Sequence, residues 1–172
     1  MDKTLLNIED SELQQLLETL GSDDGMKRKK AREALVVKGK ETIDFLIELL
    51  SHPKHIYRWE AVKTLKEIGD PDTIPVLILA LEDDKSDVRW IAAEGLIKLG
   101  MKSVKPLLNV LIEKSDSVFV LEGAHHIFFD LREKGILPSE FPVAELLSAL
   151  KSPEWIDGVK PLAYNILKNL KL

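Results

Sequence analysis

Two stretches of the chain, 31 residues apart, align without a gap and share five identical residues: Tyr57-Arg-Trp-Glu-Ala-Val-Lys-Thr-Leu-Lys-Glu-Ile-Gly69 and Val88-Arg-Trp-Ile-Ala-Ala-Glu-Gly-Leu-Ile-Lys-Leu-Gly100. In both, Arg-Trp is followed at the same intervals by an alanine, a leucine and a closing glycine. A third copy, offset by 30 residues, places Arg28, Ala31, Leu35 and Gly39 at these positions, with Lys29 in place of the tryptophan. Because three copies agree, the chain is built from a structural repeat.

The segments between these stretches also align, so the repeating unit is a pair of helices. Leu50, Leu81 and Ile112 recur at a spacing of 31 residues, as do Pro75 and Pro106. Each pair exposes an apolar face that it cannot bury alone, and stacking of the pairs forms one continuous core. Small residues are expected where the helices approach closely, at Ala61, Ala92, Ala93 and Ala124. Glycines are expected in the left-handed conformation that ends a helix, at Gly39, Gly69 and Gly100.

The repeat predicts a single all-α solenoid over 1–172. An ungapped shift of 31 carries Ala92 and Leu96 onto Gly123 and Ile127 but loses the arginine, so the fourth repeat is degenerate. The predicted divisions are an N-terminal capping helix (1–22), regular repeats (23–53, 54–84 and 85–115), a degenerate repeat (116–153) and a C-terminal capping helix (154–172).

Composition narrows the possible functions. The chain has 172 residues, of which 45% are hydrophobic, with 9 glycines and 8 prolines, and this composition favours helices. It has no cysteine, which excludes disulfides, thiolate zinc sites and a cysteine nucleophile. A net charge of −5 disfavours nucleic acid and anionic membranes. We expect a cytoplasmic protein without a membrane span.

The residues Arg58-x-x-Ala-Val-x-x-Leu65, followed by Ile68-Gly-Asp-Pro-Asp-Thr-Ile-Pro-Val-Leu77, resemble the HEAT-like repeat of the phycobilisome-lyase type. The resemblance covers roughly residues 24–112 well and weakens towards 150. It implies a right-handed superhelix of about four or five repeats, in which the arginine-bearing helices line a partner-facing surface. It also implies a structural role for Arg28, Arg58 and Arg89, whose guanidinium groups would tie each helix to nearby carbonyls or to a loop aspartate such as Asp70.

Helical periodicity predicts which side chains this surface presents. In the third repeat Trp90 and Glu94 fall on one face, away from the buried stripe. The same pattern predicts an apolar ridge of Trp59, Trp90 and Leu121 with a parallel row of Lys63, Glu94 and His125. The predicted partner-binding residues are Trp59, Glu60, Lys63, Trp90, Ile91, Glu94, Leu121, His125 and Phe129. The alternative is that the tryptophans pack over the arginine stems or under the next repeat.

Catalytic and metal-binding motifs are missing from the sequence. His125 and His126 are adjacent on a helix and diverge by about 100°, and the acidic segment 82–87 lacks the central glycine of a calcium loop. The sequence therefore predicts a non-enzymatic scaffold that binds a protein or peptide and carries no cofactor. Two alternatives remain: a bilin lyase or chaperone-like subunit, and a nucleic-acid-binding protein related to DNA glycosylases that would use the basic run at 27–32.

Overall fold

The computed structural model describes residues 11–151 and 155–170, and for 155–157 it describes the backbone alone. Every regular element in these residues is helical, which confirms the predicted all-α solenoid. The helices are α1 (Ser11–Thr19), α2 (Gly25–Lys38), α3 (Ile43–Leu49), α4 (His55–Ile68), α5 (Ile74–Ala80), α6 (Ser86–Leu99), α7 (Met101–Glu113), α8 (Val118–Glu133), α9 (Val143–Lys151) and α10 (Trp155–Asn169). Short 3₁₀ turns at Gly39–Thr42 and Pro71–Thr73 lead into α3 and α5.

The helices form two layers. Helices α2, α4, α6 and α8 pack side by side in that order, and we call them the front layer. Behind them α5 packs on α7, and α7 packs on α10, while α3 lies against α4. Helix α9 packs between α8 and α10, so α10 and not α9 continues the row begun by α5 and α7. The front layer is the surface on which the sequence predicts binding.

Repeated leucines and alanines form the core between the layers. Leu35, Leu65 and Leu96 occupy the same position of successive front helices, and all are fully buried. Burial of each stabilises the fold by about 2 kcal/mol. Where α5 approaches α6, Gly95 leaves so little room that an added Cβ would lie 3.0 Å from Leu77 Cδ1. Small residues on the front helices therefore determine how closely the layers pack.

Helix ends follow the local sequence. Gly39, Gly69 and Gly100 have φ angles of 66°, 70° and 62° and follow α2, α4 and α6, because glycine adopts this region without steric cost. After Gly69, the side chain of Asp70 accepts a hydrogen bond from the Asp72 N–H at 2.9 Å and starts the turn into α5.

The front helices begin at Gly25, His55, Ser86 and Val118, so the successive offsets are 30, 31 and 32 residues. The offset of 32 residues between the starts of α6 and α8 differs from the shift of 31 with which the sequence of the fourth repeat was aligned. Ser117 caps α8 by accepting a hydrogen bond from the Val120 N–H, and this cap determines where α8 starts. Side chains of α8 therefore occupy positions one residue away from those predicted.

Candidate functional site

Three arginines hold the same position, the fourth residue of α2, α4 and α6. Each uses its Nη1 atom to donate a hydrogen bond to a carbonyl in the loop before its helix. The pairs are Arg28 with Ser22 at 2.7 Å, Arg58 with His52 at 3.0 Å and Arg89 with Asp83 at 2.8 Å. These bonds satisfy loop carbonyls that the helices leave unpaired. The three arginines thus share one backbone anchor and differ in what their other nitrogen atoms contact.

The remaining nitrogens of Arg58 bind two carboxylates, those of Asp83 and Asp84. Its Nε lies 2.7 Å from Asp83 Oδ2 and its Nη2 lies 3.0 Å from Asp83 Oδ1, a side-on bidentate pair. The hydrogen bond to Asp83 raises the pKa of Arg58 despite its partial burial. Both side chains are largely buried, so this pair fastens α4 to the loop that precedes α6.

The loop aspartate named from the sequence, Asp70, has a different partner. Asp70 Oδ2 lies 2.8 Å from Lys40 Nζ, and the hydrogen bond from Lys40 lowers the pKa of Asp70. The expectation that Asp70 meets an arginine was wrong for Arg58, because the two residues lie at opposite ends of α4. A helix of 14 residues is about 20 Å long, far beyond the reach of a guanidinium.

Glu60, predicted to contact a partner, is buried, with 2% of its surface exposed. Its Oε1 lies 3.0 Å from Arg28 Nε and its Oε2 lies 2.7 Å from Arg32 Nη1. Arg32 also reaches Glu67 Oε1 at 2.9 Å. The partner-binding prediction for Glu60 was therefore wrong: this carboxylate neutralises two arginines of the neighbouring helix and joins α2 to α4.

The two front-layer tryptophans have different environments. Trp59 is partly buried and packs against the core, and Lys63 Nζ lies 3.9 Å from its ring centroid. Trp90 is 55% exposed, and its ring stacks on His126 at 4.4 Å between centroids with an interplanar angle of 25°. His126 Nε2 in turn lies 3.1 Å from Glu94 Oε1. Of the two tryptophans, Trp90 is the one that presents its ring to solvent.

Leu121 does not continue the ridge, since it is only 1% exposed. The offset of 32 places Leu121 at the arginine position of α8 and Glu122 at the tryptophan position. A shift of one residue turns a side chain by about 100° around the helix axis. The predicted outward position of Leu121 was wrong for this reason, and the residue that meets Trp90 is His126, which the sequence analysis did not select.

The other predicted residues lie near this surface. His125 is partly buried, and burial lowers its pKa, with smaller contributions from Lys151, His126 and Arg132. Its ring stacks on Phe129 at 6.4 Å, and Phe129 is exposed on one side. Ile91 is partly buried against the core. His125 and Phe129 therefore form a second aromatic pair, further along α8 than the pair of Trp90 and His126.

A groove between α6 and α8 combines aromatic and basic groups. We call it the Trp90 groove; it has a volume of about 250 Å³ and is lined by Ser86, Arg89, Trp90, Ala93, Phe119, Glu122, Gly123 and His126. The Cζ atom of Arg89 lies 4.0 Å from the ring centroid of Phe119, a residue that is 41% exposed. Phe119 was not among the residues predicted from the sequence. The sequence feature that indicates its position is Ser117, the N-cap of α8, because a helix that starts after Ser117 has Phe119 as its second residue.

A larger cavity, of about 560 Å³, lies between the segment before α9 and helix α10. Phe141, Leu162 and Ile166 contribute apolar walls, and Glu140 and Glu145 contribute carboxylates. None of the residues predicted from the sequence lines it. Volume alone does not indicate function, so we place the candidate site at the Trp90 groove, where exposed aromatic and charged side chains meet.

The basic run at 27–32 is partly neutralised. Arg28 and Arg32 bind Glu60, and Lys29 Nζ lies 3.7 Å from Glu33 Oε1. Within the described residues, no group of three or more histidine, aspartate or glutamate side chains is arranged to hold a metal ion. Across the same part of the chain, no helix has both the length and the apolar character required to cross a bilayer.

Stacked helix pairs with an exposed, aromatic front layer define an α-helical repeat protein with a candidate interaction groove. The chain belongs to the HEAT-repeat family, since the family model described as HEAT repeats matches residues 12–97. Comparison with curated proteins found no match. Among solved structures, the complex of CpcE and CpcF of phycocyanin lyase from Nostoc sp. PCC7120 is similar, with 23% identity and a TM-score of 0.59 over 88% of this chain and 97% of that chain. At this identity, the likeness shows the fold.

Proposed function

We propose that this chain is a non-enzymatic scaffold that binds a protein or peptide on its front layer, with the Trp90 groove at the centre of the contact. The observation that carries the proposal is the placement of Trp90. The residue is more than half exposed, and one face of its ring stacks on His126. Tryptophan dominates many interfaces because it buries a large area at little cost in conformational entropy.

Neighbouring groups support this role. Phe119 adds a second exposed ring at the groove, and the exposed Val118 extends the apolar surface at the start of α8. Glu94 holds His126 from the side and so stabilises the stack beneath Trp90. A groove whose walls are already ordered loses little entropy when a partner binds.

A photo-crosslinking experiment tests the proposal. Glu122, an exposed residue that lines the Trp90 groove, is replaced by the photoreactive aromatic amino acid p-benzoylphenylalanine, and the full chain is irradiated in cells of its source organism. We expect a discrete adduct with one protein, identified by mass spectrometry. The matched control carries the same amino acid at Leu79, which is 62% exposed on α5 in the back layer. The absence of an adduct at position 122, or the same adducts at both positions, would reject the front layer as the binding surface.

A second candidate is a subunit of a bilin lyase or a related chaperone. The likeness to a phycocyanin lyase complex and the HEAT-like repeat favour it. The similar structure is a complex of two chains, which is consistent with a protein partner for this chain as well. Mixing the purified chain with a free bilin distinguishes the candidates, because a lyase or bilin chaperone must bind the chromophore and change its absorbance spectrum. An unchanged spectrum leaves the protein-binding scaffold as the better account.

A further inference from the structure

The three repeat arginines differ in the use of their side-on pair of donors, Nε and Nη2. Arg28 Nε binds Glu60 at 3.0 Å, and both atoms of Arg58 bind the carboxylate of Asp83. Arg89 donates through Nη1 to the Asp83 carbonyl at 2.8 Å, but its Nε and Nη2 have no hydrogen-bond acceptor among the described residues. Of these three arginines, only Arg89 has both side-on donors unused within this part of the chain.

The sequence of the following loop explains the difference. Asp83 lies two residues before Lys85, the N-cap of α6, and the residue at the same distance before Ser117, the N-cap of α8, is Ser115. Serine has no carboxylate and a short side chain, so it cannot replace Asp83. The next residue, Asp116, corresponds to Asp84, which also binds Arg58. Asp116 is exposed and forms no hydrogen bond or ion pair with Arg89 among the described residues, and Lys114 pairs with Glu82. The backbone anchor of the arginine is thus retained at Arg89, while no carboxylate of the following loop pairs with its Nε and Nη2.

The surroundings of Arg89 favour an external carboxylate. Its guanidinium stacks on Phe119, an arrangement that leaves the edge of the planar group free for bidentate hydrogen bonds. Arg89 and Trp90 both line the Trp90 groove, so a ligand that reaches the guanidinium of Arg89 also passes the exposed indole of Trp90. The contact between Arg58 and Asp83 provides a template within the same chain for the geometry of such a pair.

We propose that the Trp90 groove recognises a partner peptide with an aspartate or glutamate next to an apolar side chain. The carboxylate binds Nε and Nη2 of Arg89, and the apolar side chain packs on Trp90. This inference rests on the proposed scaffold function. Glu122 also lines the groove, and the chain carries a net charge of −5. Because these negative charges repel a polyanion such as nucleic acid, we expect the groove to bind a single acidic side chain.

Selection from a random library of displayed linear peptides tests the proposal. The full wild-type chain is the target, and peptides that also bind the Trp90→Ala variant are removed. We expect the remaining peptides to share an acidic residue beside an apolar one. Replacing that aspartate or glutamate by asparagine or glutamine in a selected peptide should weaken binding at least about tenfold, because charge-assisted bidentate pairs are the strong ones.

Two variants of the protein check the role of Arg89. Arg89→Gln should abolish the preference for the acidic peptide over its amide analogue, with folding checked by circular dichroism. Ser115→Asp leaves Arg89 in place and supplies an internal carboxylate, so it should weaken the acidic peptide and raise the melting temperature. Ser139→Asp, on the exposed segment before α9, adds the same charge elsewhere and should change neither.

The possible outcomes separate this inference from the proposed function. Selected peptides that depend on Trp90 but lack an acidic residue, or that bind equally well with the amide in its place, would overturn the carboxylate site and leave the scaffold function standing. If Arg89→Gln and Ser115→Asp both bind the peptide as the wild type does, the carboxylate site is likewise overturned and the scaffold function stands. If no selected peptide depends on Trp90 for binding, both the carboxylate site and the proposed binding function of the front layer are rejected.

Discussion

Arg58 and Asp83 form a bidentate ion pair that joins two repeats, with distances of 2.7 and 3.0 Å between the paired atoms. In Asp83→Asn, the amide oxygen can still accept the hydrogen bond from the Lys85 N–H, but the buried one of the two carboxylate charges that face Arg58 is lost. We expect the free energy of unfolding to fall by about 2 kcal/mol. Urea denaturation measures this value, and a double-mutant cycle with Arg58→Lys isolates the pair. A coupling energy near zero would contradict the prediction.

Glu60 should be among the residues most sensitive to a change of charge. Glu60→Gln leaves Arg28 without a carboxylate partner and Arg32 with Glu67 alone, so we expect a loss of about 3 kcal/mol in the free energy of unfolding. Glu33→Gln is the control, because its exposed pair with Lys29 should contribute less than about 1 kcal/mol. Equal losses in guanidinium denaturation would show that burial of Glu60 has no energetic consequence.

The two tryptophans should differ in their contribution to stability. Trp59→Ala removes a ring that packs against the core, and we expect a loss of about 2 kcal/mol. Trp90→Ala removes an exposed ring and its stacking on His126, with an expected loss of about 1 kcal/mol. Both variants should keep the far-ultraviolet circular dichroism of the wild type. The opposite order of stability would mean that Trp90 has a mainly structural role.

Glu82 should make the stability of the fold depend on pH at the acid end. The hydrogen bond from Lys114 is the main cause that lowers the pKa of Glu82 below the usual 4.5, and a hydrogen bond from Ser117 lowers it further. Because the folded pKa lies below the unfolded one, the unfolded chain binds more protons in this range, and stability falls as pH falls through the folded pKa. Glu82→Gln should therefore show a shallower loss of stability on acidification below pH 4.5. Parallel profiles from urea midpoints would contradict this.

Much of the solenoid was predictable because its signals are local. Leu35, Leu65 and Leu96 mark a buried stripe through their spacing alone, and the closing glycines mark where helices end. Such features depend on the period of the helix and on the conformation of single residues. The direction of Trp90 followed from the same periodicity, and the structure places that ring in solvent.

The candidate site was harder to predict because it depends on a single residue of register. One additional residue between the starts of α6 and α8 buries Leu121 and brings His126 beneath Trp90. Glu60 gave no local sign of burial, since its partners Arg28 and Arg32 lie on another helix. Side-chain partners across repeats are set by how helices pack, which an ungapped sequence comparison does not contain.

The sequence by itself determined that this chain is a stack of helix pairs with an arginine in the first turn of three of them, since periodicity and helix-end chemistry act within a few residues. Only the tertiary structure decided what each arginine contacts. Arg58 meets Asp83 and Arg28 meets Glu60, whereas Arg89 lies on Phe119 at the edge of the Trp90 groove. The physical reason is that these partners are more than 20 residues away along the chain and become neighbours only when the repeats stack.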